Sequence, residues 1–408
     1  MKYIKDPIHG AIEVDEKLID NPFFQRLRYI IQNGMAYLVF PAMRHSRFEH
    51  SLGTYYVASK MAEKVNCNIN KEIIKELALY HDIGHMPFSH TFEYSLDVLR
   101  LMNKYKHSSI LRLAGFHKGE IAKFHEAMGE RILREMDKEE VAKLMREIYI
   151  EGAYGGTEVR IAKLIVNSEL DADRLDYLQR DSYYSGAKFG LIDPDRLLNI
   201  MEISEGGYIF PPKAIDDLEH FLLARFHMYS SVYNHPVIEI YNRVMAYFIA
   251  YAINEDDIQF PDNIYDIIDF TDDSILSVLK SKKYKYYHFY DSIINRRPYM
   301  RSTLEGAQAK NLIKILGKDE VYEELIIKNK GKVVIGENKI ETKYDNIKIR
   351  RKMGKEEIDN EIKDEEYIVK PPSRYRVHIG VYDEKTKMEV IDYFKAFGIL
   401  LNFDSKRI

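Results

Sequence analysis

Apolar side chains recur at every third or fourth position along most of the first 250 residues, which is the spacing of one face of an α-helix. Clear examples are the stripes Val57-Ala58-Met61-Val65, Ile74-Leu77-Ala78-His81 and Ile161-Leu164-Ile165. A weaker helical pattern continues to residue 316. We therefore predict a mainly α fold with a helical core over residues 1–315.

The pattern changes towards the C-terminus. Apolar and polar residues alternate over residues 331–351 and 374–384, as they do in half-buried strands. Turn-forming residues at Gly336–Asn338 and Pro371–Pro372 predict breaks between strands. The charge-rich run 354–366 is typical of a solvated loop or helix. We predict a small α+β region over residues 316–408.

Composition narrows the class of protein. With 46% hydrophobic residues in a chain of 408, there is enough apolar material for a large core. The 60 basic and 64 acidic residues leave no basic excess, so binding to nucleic acid is not indicated. No apolar run approaches the roughly 18 residues of a membrane span, and the first ten residues contain no apolar leader. We expect a cytoplasmic protein without a membrane anchor.

Candidate chemistry centres on His81 and its neighbour Asp82. An imidazole nitrogen beside a carboxylate can bind a metal ion that activates water. His81 ends the apolar stripe of its helix, so its side chain should point inward, and His50 should face the core from the preceding helix. A single inward histidine is more often a hydrogen-bonded core residue. The joint occurrence of these residues with the Asp-rich segment 171–181 favours a metal site.

Six sequence segments together carry a family resemblance. In chain order they are DPIHG (6–10), FQRLRYIIQNG (24–34), HSRFEHSLG (45–53), HDIGHMPFSH (81–90), HEAMGERIL (125–133) and DADRLDYLQRD (171–181). Over roughly its first 240 residues the chain resembles the HD-domain phosphohydrolases. Within them it is most similar to the deoxynucleoside triphosphate triphosphohydrolase branch, which includes the SAM and HD domain-containing enzyme.

The resemblance implies a catalytic centre with a bound divalent metal ion, and family members are reported with manganese, iron, nickel, zinc or magnesium. The implied metal ligands are His50, His81, Asp82 and Asp173. The implied catalytic residues are Arg47, His85, His90, Glu93 and His125, with Glu93 pairing with His125. The implied substrate contacts are Gln32, Arg47, Tyr177, Asp181, Arg225 and Tyr233.

The same resemblance implies the reaction and the partners. A metal-activated water would attack the α-phosphate of a nucleoside triphosphate and release nucleoside and triphosphate. The family pattern also implies a homo-oligomer, a dimer or a tetramer. An activating nucleotide would be bound at a subunit interface by Asp20, Gln25 and Arg28. The chain departs from the pattern at Asn33, where the family enzyme has a leucine against the sugar, and at Lys5, where it has asparagine.

Two other functions fit the same residues. An HD-type phosphodiesterase or nucleotidase would keep the metal site and act on cyclic or monophosphate substrates. A nucleotide-binding sensor would use the fold without turnover. The complete set of ligands and histidines favours an enzyme over a sensor, and the contiguous HDIGHMPFSH and RFEHSLG segments favour the triphosphohydrolase branch.

Overall fold

The computed structural model of the chain describes residues 1–116, 123–152, 155–317, 321, 323–341, 345–353, 356–364 and 373–404. The chain is mainly helical with a C-terminal α+β region, which confirms the predicted fold class. The α-helices are α1 (Glu16–Ile19), α2 (Pro22–Gln25), α3 (Arg47–Glu63), α4 (Lys71–Tyr80), α5 (His90–Met102), α6 (Lys104–Leu113), α7 (Phe124–Glu135), α8 (Glu139–Met145), α9 (Thr157–Val166), α10 (Ala172–Ser185), α11 (Pro194–Ile200), α12 (Ile215–Met228), α13 (Pro236–Asn254), α14 (Asp272–Ser281), α15 (Tyr287–Ile293), α16 (Gly306–Leu316) and α17 (Glu384–Lys395).

The strands form a hairpin and two small sheets. They are β1 (Lys2–Asp6), β2 (Gly10–Val14), β3 (Glu202–Ser204), β4 (Gly207–Phe210), β5 (Met300–Glu305), β6 (Val333–Ile340), β7 (Ile347–Met353), β8 (Glu356–Glu361) and β9 (Arg374–Val381). The hairpin is β1-β2, and the sheets have the orders β3-β4-β7-β8 and β5-β9-β6. Each of these two sheets joins strands from both sides of residue 315.

The turn predicted at Gly336–Asn338 is wrong, because these residues lie inside β6. Gly336 faces Glu239 of α13 so closely that an added Cβ would lie 2.3 Å from Glu239 Oε1. The glycine therefore marks a close approach between a helix and a strand. Part of the charge-rich run is the strand β8, which corrects the predicted loop or helix, although residues 357–360 are exposed as expected. Residues 371–372 lie outside the described residues.

A continuous hydrophobic core joins the helical part to the C-terminal sheet. The helix α13 runs through this core, with His235 as its N-cap and Pro236 in its first turn. It packs against α5 on one side and against β6 and β9 on another. In the part of the chain that the structure describes, no helix is both long enough and apolar enough to cross a membrane.

Local sequence signals fix the helices that carry the polar site. Ser46 and Glu49 form a capping box that begins α3, and the Asp171 side chain caps α10. Gly53 of α3 allows α10 to approach, because a Cβ at this position would lie 1.8 Å from Asp176 Oδ1. These features place the polar faces of α3 and α10 against each other.

Candidate active site

Four polar side chains converge between α3, α4 and α10. They are His50 of α3, His81 and Asp82 directly after α4, and Asp173 in the first turn of α10. His50 Nε2 lies 2.9 Å from Asp173 Oδ1 and 3.5 Å from Asp82 Oδ2. His81 Nε2 lies 3.4 Å from Asp82 Oδ2 and 3.7 Å from Asp173 Oδ1. The structure thus brings together the ligand set that the family resemblance implies.

In His50 and His81, the ring nitrogen that faces away from Asp82 and Asp173 lies beside a hydrogen-bond acceptor. His50 Nδ1 lies 2.7 Å from Asp176 Oδ2, and His81 Nδ1 lies 2.8 Å from the Ala78 carbonyl oxygen. Each Nδ1 therefore donates a hydrogen bond, which leaves Nε2 as the nitrogen that would bind a metal ion. The buried His81 Nε2 makes no hydrogen bond to any described residue. Two such nitrogens facing two carboxylates fit a divalent metal ion.

The carboxylates favour a positive charge at this point. Burial lowers the pKa of His50, but hydrogen bonds to the carboxylates of Asp173 and Asp176, and their negative charges, outweigh burial and raise it to about 10. Burial raises the pKa of Asp173, but its contacts with His50 and His81 hold it below the usual range. Mixed nitrogen and oxygen ligands suit several divalent ions, so the residues fit the expected cofactor without selecting manganese, iron, nickel, zinc or magnesium.

A second cluster of histidines lies beside Asp82. His85 Nε2 lies 3.3 Å from Asp82 Oδ1, and the His85 ring stacks on that of His125 with centroids 3.9 Å apart. Glu93 Oε1 accepts a hydrogen bond from His125 Nδ1 at 2.5 Å, and Glu93 Oε2 lies 3.0 Å from His90 Nδ1. The second cluster, His85, His90, Glu93 and His125, is also compact enough to hold a cation. The pairing of Glu93 with His125 is present as the resemblance implies.

The two stacked imidazoles differ in charge at neutral pH. Burial and the positive charges of Arg47 and His125 lower the pKa of His85 well below its usual value. Burial also lowers the pKa of His125, but the carboxylates of Glu93 and Glu126 raise it to about 9. At neutral pH His125 is therefore charged and His85 is neutral. Environments that separate the pKa values of neighbouring groups are a mark of acid and base roles.

The turn between His85 and His90 is held by residues from distant segments. Phe88 has a φ of 60°, an uncommon backbone conformation for a bulky residue. Asp272, the first residue of α14, accepts hydrogen bonds from the N–H groups of Phe88 at 2.7 Å and Ile31 at 2.8 Å. Arg26 donates to the carbonyl oxygen of His85 at 2.6 Å. The roles of Arg26 and Asp272 were not predicted from the sequence, because contacts between distant segments have no local pattern.

Both clusters open into one cavity of about 700 Å³, a size typical of small-molecule sites. The predicted site residues on its wall are Gln32, Arg47, His81, Asp82, His85, His90, His125, Asp173, Tyr177, Asp181 and Tyr233. His50, Glu93 and Arg225 are not among the described lining residues. His50 and Glu93 are covered by side chains of the site that they contact. Arg225 forms an ion pair with Glu169.

Three basic side chains that sequence analysis missed also line the cavity: Lys123, Lys163 and Arg174. Arg174 follows the ligand Asp173 directly, so its position in DADRLDYLQRD was an available signal. Lys163 lies on α9, whose amphipathic pattern resembles that of an ordinary surface helix. Together with Arg47 they provide positive charge for an anionic ligand.

Arg47 is buried beside the metal centre and is held in one orientation. Its guanidinium forms an ion pair with Asp82. It also donates to Ser89 Oγ at 2.9 Å and to the Gln32 carbonyl oxygen at 3.2 Å. A guanidinium fixed in this way presents a preorganised charge at the metal centre.

Asp181 contacts three side chains on another part of the cavity wall. Its Oδ1 accepts hydrogen bonds from Asn33 Nδ2 at 2.7 Å and is 2.8 Å from His45 Nε2, and its Oδ2 accepts from the Tyr233 hydroxyl at 2.7 Å. The Tyr177 ring packs edge-on against Tyr233 with centroids 5.8 Å apart. The amide of Asn33 is thus engaged within the protein, which explains how a polar residue is accommodated where the family enzyme has leucine.

The residues implied in nucleotide activation lie outside this cavity. Gln25 Oε1 accepts a hydrogen bond from Arg28 Nε at 2.7 Å, and Asp20 forms an ion pair with Lys2. The side chains of Asp20 and Arg28 are exposed. Their role at a subunit interface stays a prediction.

Known proteins show similarity along most of the chain. The family model described as HD domain matches residues 47–181, and the model of the HD associated region matches residues 192–335. An uncharacterised protein of Methanocaldococcus jannaschii is 36% identical over 292 residues, which are 69% of this chain and 55% of that protein. A deoxynucleoside triphosphate triphosphohydrolase SAMHD1 homolog of Dictyostelium discoideum is 30% identical over 300 residues, again 69% and 55% of the two chains. The chain spans about half the length of these curated relatives.

A solved structure shares the architecture almost from end to end. A hypothetical protein from Aquifex aeolicus superimposes with a TM-score of 0.65 at 29% identity, covering 95% of this chain and 99% of that one. The two matched regions, the shared fold and the converging histidines and aspartates agree with one another. The chain therefore belongs to the HD-domain superfamily, with an HD domain over residues 47–181 followed by an HD-associated region.

Proposed function

We propose that this protein is a metal-dependent phosphohydrolase that acts on nucleoside triphosphates, most efficiently on deoxynucleotides, and releases nucleoside and triphosphate. One observation carries the proposal: a single cavity combines the His/Asp metal centre, a charged histidine and several basic side chains. A divalent ion held by the four ligands would supply Lewis-acid activation of water and of a phosphoryl oxygen. The name of the Dictyostelium relative, deoxynucleoside triphosphate triphosphohydrolase SAMHD1 homolog, supports this substrate class.

The basic side chains account for phosphate recognition. Lys123, Lys163 and Arg174 line the cavity and neutralise the triphosphate. Negative charge grows on the reacting phosphoryl group in the transition state, so a fixed cation beside the metal centre lowers the barrier. Arg47 has this role, because Ser89 and the Gln32 carbonyl already hold its guanidinium in place.

His125 protonates the leaving 5′-oxygen. Its Nδ1 is bound to Glu93, so Nε2 is the nitrogen that remains to donate a proton. Glu93 and Glu126 raise the pKa of His125 to about 9 against the effect of burial, so the donor is charged at neutral pH. His90, with a side chain 57% exposed, contacts the other oxygen of Glu93 and supports this pair.

The side chains around Gln32 and Tyr233 recognise the sugar. In the described part of the chain the buried Gln32 Oε1 has no hydrogen-bond donor, so it is available to a 3′-hydroxyl. The Tyr233 ring, held by Asp181, lies against C2′ and excludes a ribose hydroxyl. Tyr177 packs on Tyr233 and keeps the ring in place.

Product analysis tests the proposal. Purified protein is incubated with each dNTP and NTP in Mn²⁺ or Mg²⁺, beside an Asp82→Ala variant, and the products are separated by ion-exchange chromatography. We expect equal amounts of nucleoside and triphosphate, and none from the variant. Release of pyrophosphate or orthophosphate, or turnover of cyclic or monophosphate substrates alone, would indicate a phosphodiesterase or nucleotidase. Binding without turnover would indicate a sensor.

We also propose that the chain forms a dimer or tetramer in which Asp20, Gln25 and Arg28 bind an activating nucleotide. Exposure of Asp20 and Arg28, away from the cavity, supports this role. Light scattering with and without GTP, together with the rate on dATP, tests it. A monomer whose rate is indifferent to GTP would contradict it.

A further inference from the structure

The DPIHG segment links β1 to β2, yet none of its residues is among the described lining residues of the cavity. Asp6 Oδ1 accepts hydrogen bonds from the N–H groups of Ile8 and His9, each at 2.9 Å, which shapes the turn. The turn presents the His9 ring to Tyr56, with centroids 4.8 Å apart. His9 Nε2 then lies 2.7 Å from Asp176 Oδ1. The hairpin therefore reaches the helix that carries Asp173.

Asp176 is fully buried and uses both carboxylate oxygens. Oδ1, the atom near His9, also accepts from Arg180 Nη2 at 2.9 Å. Oδ2 accepts from Arg180 Nε at 2.9 Å and from His50 Nδ1 at 2.7 Å. Arg180 is held in turn by Asp6 Oδ2 at 2.8 Å. Two side chains of the hairpin thus complete the network around the carboxylate that orients His50.

We propose that the hairpin β1-β2 supports the metal centre: His9 positions Asp176, and Asp176 positions the ligand His50. This inference rests on the metal role proposed above. The HD-domain match begins at residue 47, so the support comes from outside the matched domain. His9 acts as a positioning residue, since it reaches the metal centre only through Asp176.

Asp176 lies directly behind the proposed ligand His50, whose Nδ1 is 2.7 Å from Asp176 Oδ2. A carboxylate that accepts from the far nitrogen of a metal-bound histidine fixes the tautomer and orientation of the ring. Loss of such a partner typically weakens metal binding by about 10-fold to 100-fold. Without His9, the Asp176 carboxylate keeps Arg180, but its Oδ1 loses one of its two contacts.

The test compares two amide substitutions at one position. His9→Gln places an amide nitrogen near the position of Nε2, whereas the side chain of His9→Asn is too short to reach Asp176. Glu13→Ala, at an exposed position of the same hairpin, is the matched control. Mn²⁺ alone is titrated into metal-free protein by calorimetry at a temperature where circular dichroism shows every variant folded. We expect His9→Asn to weaken Mn²⁺ binding by roughly 10-fold, with His9→Gln and Glu13→Ala close to the wild type.

Two results would overturn the inference: wild-type affinity in His9→Asn, or equal losses in His9→Asn and His9→Gln. An equal loss would mean that the imidazole serves packing alone. Absence of Mn²⁺ binding by the wild type would instead contradict the proposed metal function, so the two failures are distinguishable. Product analysis remains independent of both, because calorimetry uses no nucleotide.

Discussion

The imidazole rings of His85 and His125 lie nearly parallel, with 14° between their planes, yet their pKa values are shifted in opposite directions. Glu93 accounts for much of this difference, because it contacts Nδ1 of His125. Arg47 acts on the other ring and lowers the pKa of His85 in addition to the effect of burial. One stacked pair therefore contains a charged donor and a neutral partner.

The first prediction concerns the alkaline limb of the pH profile. A proton donor is active below its pKa, so kcat/KM should fall as the pH rises through about 9, the raised pKa of His125. Glu93→Gln removes a negative charge and should move this limb to lower pH by roughly one to three units. Glu135→Gln, on α7, the helix that carries His125, is the control and should leave the limb in place. An unmoved limb in Glu93→Gln would contradict the role of His125 as donor.

The second prediction concerns metal content. We expect one divalent ion per chain, measured by elemental analysis of protein loaded with Mn²⁺ and desalted. Asp173→Ala should lose most of the bound metal, because Asp173 contacts both ligand histidines. His90→Ala, a change in the second cluster, should retain it. Two ions per chain, or metal loss in His90→Ala, would show that the second cluster also holds metal.

The third prediction concerns the choice of sugar. Tyr233→Ala removes the ring that excludes the 2′-hydroxyl and should raise the ratio of kcat/KM for GTP over dGTP by roughly 10-fold. Tyr233→Phe keeps the ring and loses the hydrogen bond to Asp181, so it separates steric exclusion from positioning. The ratio should stay near the wild-type value in Tyr233→Phe. Equal ratios in the two variants would rule out the ring as a steric gate.

The fourth prediction concerns Asp272, which holds the turn at Phe88. Burial raises the pKa of this carboxyl to about 7. In an unfolded chain its pKa would be about 3.9, the usual value for Asp. Between these values the folded protein holds a proton that the unfolded chain has lost. The free energy of unfolding therefore decreases as the pH rises through this window.

Asp272→Asn cannot titrate, so its Tm should depend less on pH across the same window. Asp262→Asn, at an exposed position before α14, should keep the wild-type dependence. Thermal unfolding monitored by circular dichroism at several pH values measures the slopes. Identical slopes in all three proteins would exclude Asp272 as the titrating group.

Local periodicity was sufficient for part of the site. His50 and His81 are buried, as their helical stripes predicted, because Leu77 and Ala78 lie one turn before His81 and Val57 lies two turns after His50. The family resemblance added Asp173, whose own helix has mixed polarity and no clear inward face. The alternating segments that predicted strands correspond to β6, β7 and β9.

Contacts between distant segments could not be read in the same way. Asp272 reaches Phe88 across 184 positions, and no local pattern records which helix end meets which turn. The phosphate contact that the resemblance implies for Arg225 stays a prediction, whereas its ion pair with Glu169 becomes visible only when α12 and the segment before α10 pack. Gly336 was predicted to lie in a turn. A glycine is needed there because Glu239, on another element, leaves no room for a side chain, and no local pattern shows such a neighbour.

Asn338 of β6 lines the same cavity as His81 and Asp173, and its strand pairs with β9. The four proposed ligand residues are synthesised before residue 338 and before β9, the strand that pairs with β6. The wall of the cavity is therefore complete only once β6 has paired with β9, and a chain that ends before residue 338 would lack Asn338 at that wall.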